Sequence, residues 1–197
     1  MNASGNPWKT LSSSHKYENP WFSVREDQVV RPDRKNGIYS VVTAKRLATG
    51  ILPLWDDGSL TLVGQYRYPL NEYSWEIPEG GGDPDESPLA TAKRELREET
   101  GLEAASWEYL ERIHTSNCFT DEVCHLFFAL NLTQGLAEPS PEEILQVRRV
   151  SFREAVAMAM DGRITDSISI AGIFRLLTRF PSLCMEIRNE SSHNQEA

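Results

Sequence analysis

The chain has 197 residues, 40% hydrophobic and 25% charged, which suits one compact globular domain with a small extension and leaves too little for two full-sized domains. Its net charge of −9 argues against a nucleic-acid partner, because no Lys/Arg stripe interrupts the acidic balance. No apolar run reaches the roughly 18 residues of a membrane-spanning helix, so no membrane partner is expected.

Met1 to Tyr17 is poor in apolar residues and is expected to be loosely ordered, with no apolar segment of a signal peptide. The three cysteines, Cys118, Cys124 and Cys184, form neither a disulfide framework nor a metal-ligand spacing, so a reducing, cytoplasmic setting is expected. Strand patterns follow at Phe22–Val24, Gln28–Val30, Ile38–Val42 and Thr49–Trp55, with Arg31-Pro32-Asp33 as one turn and Lys35-Asn36-Gly37 as a hairpin signal. Asp56 to Ser59 marks another turn. Strands are then expected at Leu60–Tyr68 and Tyr73–Pro78, the second running into Gly80-Gly81-Gly82.

The clearest helix comes next. Ser87 is placed as its N-cap, Pro88 at its first position, where a missing N–H does no harm, and Gly101 as its left-handed stop. Leu89, Ala92 and Leu96 line one face. Beyond it the pattern predicts strands at Trp107–His114 and Val123–Leu132, and an acidic loop from Gln134 to Glu143. A strand at Val147–Phe152 and helices near Arg153–Asp161 and Ser167–Phe180 complete the domain.

The first helix carries Glu95, Glu98 and Glu99 in its last two turns, where carboxylates oppose the helix dipole at a cost of roughly 0.3–1 kcal/mol each. Glu95 and Glu99 also repel at i,i+4. A divalent cation turns those penalties into attractions, since hard cations take carboxylate oxygens. The plain alternative is a solvated acidic face. The glycine loop beside the helix favours the metal, because glycine backbone can approach a phosphate or turn a carbonyl towards a cation. If the substrate of so acidic a chain is an anion, something besides side-chain charge must help hold it, which points towards a metal ion.

Residues Gly80 to Leu102 resemble the Nudix box: Gly80, five residues, Glu86, seven residues, then Arg94-Glu95-Leu96-Arg97-Glu98-Glu99-Thr100-Gly101-Leu102. Every defined position of that pattern is met. The resemblance implies an α/β Nudix fold, a mixed β-sheet in an α/β/α sandwich, with an N-terminal strand extension. The expected boundaries are 1–48 for the extension and 49–197 for the hydrolase domain. It implies Mg²⁺, with Mn²⁺ as a possible substitute, held by Glu95, Glu99 and Glu98 and by backbone at Glu79 and Gly80. Glu86 and Arg94 are implied to brace the box.

Gln65-Tyr-Arg67 and Trp75-Glu-Ile-Pro78-Glu-Gly80 look like the branch of the family that acts on ADP-ribose and other nucleoside diphosphate sugars. In that branch Arg67 is expected to reach the diphosphate, with Trp75, Glu76 and Trp21 also assigned to substrate. Ser116 to Glu122 resembles the branch's Ser-Pro-Gly-aromatic-Ser-Asp-Glu stretch after the box but carries Asn117 and Cys118 where Pro and Gly are usual, which puts the substrate's identity in question. The general base is expected from Glu143 or Glu142 in the late acidic loop, with Glu98 as a further catalytic candidate. The N-terminal strands, with Tyr17 to Trp21 and Arg31 to Asp33, resemble an element that pairs two subunits, so a homodimer is expected. Two other readings stay open here: a nucleoside triphosphate pyrophosphohydrolase of the same fold, and a module that senses nucleotide sugars without cleaving them.

Overall fold

A computed structural model describes residues 5–138 and 144–182. Three strands come first, β1 (Lys9–Glu18), β2 (Phe22–Val30) and β3 (Asn36–Ala44), paired antiparallel in the order β1-β2-β3. The expectation of a loose N-terminus is corrected for β1: its ten residues are all exposed, and backbone pairing to β2, from Lys9 opposite Val30 to Glu18 opposite Ser23, holds them extended. β2 is a single strand, not two. The hairpin between β2 and β3 turns at Pro32–Arg34, where Arg34 takes φ 66°, and Gly37 lies within β3 opposite Val29. Pairing of the strands thus overrides the Asn36-Gly37 signal.

The remaining strands are β4 (Ala48–Pro53), β5 (Ser59–Arg67), β6 (Glu72–Glu76), β7 (Glu79–Gly81), β8 (Leu102–His114), β9 (Val123–Gln134) and β10 (Gln146–Ser151). They form a mixed sheet, β7-β4-β9-β8, and an antiparallel sheet, β10-β5-β6. β4 runs parallel to β9 and is buried on both faces, which explains its near-continuous apolar run. Ile51 points into a small core with Ala92 and Leu96 of helix α1 (Pro88–Thr100), whereas Leu52 points into the main core. That main core takes Phe152, Ala155 and Met158 from α2 (Phe152–Asp161) and Ile168, Ile173 and Leu176 from α3 (Ser167–Arg179). Helices therefore cover the mixed sheet on both faces, as the sandwich expectation requires. α3 lies so close that a Cβ on Gly50 would stand 2.6 Å from Ile168.

β3 is also bonded to the loop between β8 and β9. Val42 N–H donates to Phe119 O at 2.8 Å, Ala44 N–H to Asp121 at 3.0 Å and Tyr39 Oη–H to Cys118 O at 2.6 Å. The sequence that departs from the familiar loop pattern is thereby pinned to the N-terminal sheet. No helix among the described residues is long and apolar enough to cross a membrane.

Candidate active site

The site is built where β7 meets α1. Ser87 caps the helix by accepting from Ala90 N–H, and Gly101 ends it at φ 71°. Both capping signals are local, so helix position follows from sequence. On the strand side, Gly80 has no room for a side chain: a Cβ there would lie 2.1 Å from Glu95 Cδ. The glycine lets the Glu95 carboxylate rest on β7 backbone. Glu79 N–H donates to Glu99 Oε2 at 3.1 Å, which ties the last glutamate of the helix to the same strand.

Arg94 organises this junction. It bonds Glu86 through Nε and Nη2 at 3.2 and 3.1 Å, Gly81 O through Nη2 at 3.0 Å, and Glu95 and Glu98 through Nη1 at 2.8 Å each. The hydrogen bond from Arg94 holds the Glu86 carboxyl below the usual carboxylate range, and Glu86 in turn leads the effects that keep Arg94 charged. Thr91 Oγ1 also donates to Glu86, at 2.9 Å. Loop, strand and helix are locked by one guanidinium.

A second guanidinium sits across the cleft. Arg67 donates to Glu76 from Nε at 2.9 Å and from Nη2 at 2.5 Å, and to Glu79 from Nη2 at 2.8 Å. Burial alone would weaken its charge, but the hydrogen bond to Glu76 and the carboxylates of Glu79 and Asp166 outweigh that. Glu79 carries the opposite strain. Burial, then the carboxylates of Asp166 and Glu76, push its carboxyl well above the usual range, against the attraction of Arg67. Its Oε2 is buried with no hydrogen-bond partner among the described residues.

These features fit a divalent cation: an orphaned buried carboxylate oxygen, a cradle at Gly80 that a Cβ would fill, and a donor set made of oxygen. Among the described residues, no three His, Cys, Asp or Glu side chains are gathered round one point. Arg94 Nη1 holds Glu95 and Glu98, so those carboxylates are drawn towards the guanidinium.

Two adjoining cavities share Trp21, Arg46, Arg67, Glu79, Gly80 and Gly81. One, of about 520 Å³, holds Glu95, Glu98 and Glu99. The other, of about 600 Å³, runs past Ser74 and Glu76 to Glu122 and the start of α3. Trp21, 64% exposed, stands where both open. Trp75 is not brought in. Ser74 and Glu76 line the cleft, so strand alternation turns Trp75 to the other face of β6, against Tyr73 and beneath Arg148. Trp75 is therefore not among the residues that line either cavity. Glu142 and Glu143 lie outside the described residues, but Glu138 N–H donates to Glu98 O at 3.0 Å, so their loop sets out beside the box helix. Sequence reasoning missed Arg46 and Asp166. Asp166 is the N-cap of α3, accepting from Ser169 N–H at 2.6 Å, and the Asp-Ser-Ile-Ser run was a readable signal for the cap though not for the cleft.

Residues 44–169 match the NUDIX domain family, and residues 8–42 match the nucleoside diphosphate sugar hydrolase N-terminal domain family. The chain belongs to the Nudix family and is a pyrophosphohydrolase of that class. It is 34% identical to an ADP-ribose pyrophosphatase of Mycobacterium tuberculosis, over 84% of this chain and 81% of that one. To an ADP-ribose pyrophosphatase of Bacillus subtilis it is 29% identical, over 81% and 86%. Its fold matches the crystal structure of an ADP compounds hydrolase with a TM-score of 0.78 at 21% identity, covering 89% of this chain and 95% of that one.

Proposed function

We propose that the protein hydrolyses the diphosphate bond of nucleoside diphosphate sugars such as ADP-ribose, giving a nucleoside monophosphate and a sugar phosphate. One observation carries the reading: Glu95, Glu98 and Glu99 line one cleft with the Gly80 cradle, in a chain whose N-terminal residues match the nucleoside diphosphate sugar hydrolase family. Similarity to two ADP-ribose pyrophosphatases supports the substrate class.

In this reading Glu95, Glu98, Glu99 and the backbone at Glu79 and Gly80 hold Mg²⁺, with Mn²⁺ as a substitute. The ion supplies the positive charge that neutralises a diphosphate and acidifies water. The chain's own residues do the rest. Glu86 and Arg94 keep the box in shape. Glu76 and Glu79 hold Arg67 at the cleft wall, in reach of one phosphate through the part of its fork they leave over. Glu143 or Glu142 accepts the proton of the attacking water, or Glu98 does so in their place. Trp21 offers an aromatic face to the base. The division at residue 48 between extension and hydrolase domain belongs to the same reading. So does a homodimer through the N-terminal strands, supported by the fully exposed edge of β1, which leaves backbone groups available for pairing. A cytoplasmic setting belongs to the same reading, supported by the free thiols of Cys118 and Cys124.

The test is hydrolysis by purified protein with Mg²⁺ across ADP-ribose, other nucleotide sugars and nucleoside triphosphates, with products identified by mass. Nucleoside monophosphate plus sugar phosphate is expected. Pyrophosphate from triphosphates alone would overturn the substrate class.

A further inference from the structure

A second face of α1, beside the start of β8, borders a cavity of about 440 Å³ lined by Lys93, Arg94, Arg97, Glu103, Ala104 and Trp107. It shares only Arg94 with the cavity that holds Glu95, Glu98 and Glu99. In a chain of net charge −9 its sign stands out. Carboxylates outnumber cations in the walls of both cavities at the box, whereas here three cations stand with one carboxylate.

Arg94 is committed to Glu86, Glu95 and Glu98. Lys93 and Arg97 are not so engaged. Both are exposed, stand i,i+4 on one face of the helix, and form no ion pair with any described residue, Glu103 included. Two cations so placed can grip one phosphate without the help of a metal. Trp107 supplies the apolar wall. Its indole N–H already donates to Ala104 O at 3.1 Å, and its ring packs T-shaped with Phe127, centroids 6.4 Å apart. What it has left for a ligand is ring surface, on which a flat base can stack. The volume falls in the range of small-molecule pockets.

We propose that this cavity is a second, metal-independent binding site for a nucleoside monophosphate, with the phosphate on Lys93 and Arg97 and the base on Trp107. The site stands apart from the chemistry at the box and does not rest on the nucleoside diphosphate sugar reading.

The experiment titrates the wild-type protein with AMP by calorimetry, in EDTA so that no divalent cation can hold the nucleotide at the box. Binding is expected with a dissociation constant of about 1 mM or tighter. The double variant Lys93→Gln/Arg97→Gln should bind AMP roughly tenfold or more weakly, with its melting temperature unchanged because both side chains are exposed. Ribose 5-phosphate, which keeps the phosphate and lacks the base, should bind the wild type roughly fivefold or more weakly than AMP does. An AMP affinity unchanged in the double variant would overturn the proposal by placing the nucleotide elsewhere. Equal affinities for AMP and ribose 5-phosphate would overturn it as well, and so would a wild type that binds no AMP. Should the double variant fail to fold, Arg97→Gln alone is read the same way.

Discussion

Gly80 and Glu95 occupy space that a single methyl group would contest: a Cβ on the glycine would fall 2.1 Å from the carboxyl carbon of the glutamate. Helix and strand are thus fitted at a carboxylate and a bare backbone. Gly80→Ala is expected to push Glu95 aside by about an ångström and to lower kcat on the order of a hundredfold, with the circular dichroism spectrum unchanged. Full activity in that variant would show that the Glu95 position is not critical.

Glu99 accepts a backbone N–H from Glu79 and sits buried in the cleft wall. Glu99→Gln keeps the shape and removes the charge. Turnover is expected to fall on the order of a hundredfold or more, while the melting temperature moves little. Near-normal kcat would remove Glu99 from the metal-binding set.

A cation held by folded protein stabilises it by mass action, about 2.7 kcal/mol at a hundred times Kd. Mg²⁺ is therefore expected to raise the melting temperature of the wild-type protein, and chelation to reverse the rise. Glu95→Gln should lose most of that shift. An equal shift in both proteins would place the ion elsewhere.

Arg67 balances two carboxylates of which Glu76 is almost fully buried. Removing the guanidinium leaves them facing each other. Arg67→Ala is expected to cost about 2–3 kcal/mol, less than a fully buried pair because a third of the arginine side chain reaches solvent. Denaturant unfolding measures it, and the added substitution Glu76→Gln should restore part of the loss. Independent, additive effects would show that the two side chains are not coupled.

Glu79 sets a pH dependence in metal-free protein. Its folded carboxyl is raised well above the usual range, so the folded chain keeps a proton that the unfolded chain releases. The group therefore favours folding fully below the ordinary carboxylate pKa of about 4.3 and loses that favour as pH rises through the raised value. Glu79→Gln should therefore melt higher than wild type at pH 8 and lose its advantage in mild acid. An advantage independent of pH would assign the effect to packing.

Elements fixed by local signals are legible in this sequence, and those fixed by distant contacts are not. α1 was legible end to end, because Ser87, Pro88 and Gly101 act within one turn of themselves and the box glutamates repeat at helical spacing. β1 was not, since its exposed residues show no apolar alternation and only pairing with β2 orders them. Which face of β6 Trp75 takes was not legible, because the side that meets the cleft depends on pairing with β5 and not on residue type. Asp166 reaches the site from the far end of the domain, through α3 packing on β4, and no short-range pattern announces such a contact. The turn at Arg31-Pro32-Asp33 was legible, whereas the Asn36-Gly37 pair, a hairpin signal by residue type, lies inside β3 because strand pairing with β2 reaches it.

The bonds from β3 to the β8–β9 loop make the N-terminal sheet an inner scaffold for the catalytic domain and not a removable handle. Cutting the chain just before residue 44 would strip Phe119 O and Cys118 O of their donors from Val42 and Tyr39, and take from Asp121 N–H its acceptor at Val42. The loop that ends at Glu122 would then be free to swing at the rim of the large cavity. A shortened enzyme would keep α1 and its glutamates but lose the support of one wall of the cavity.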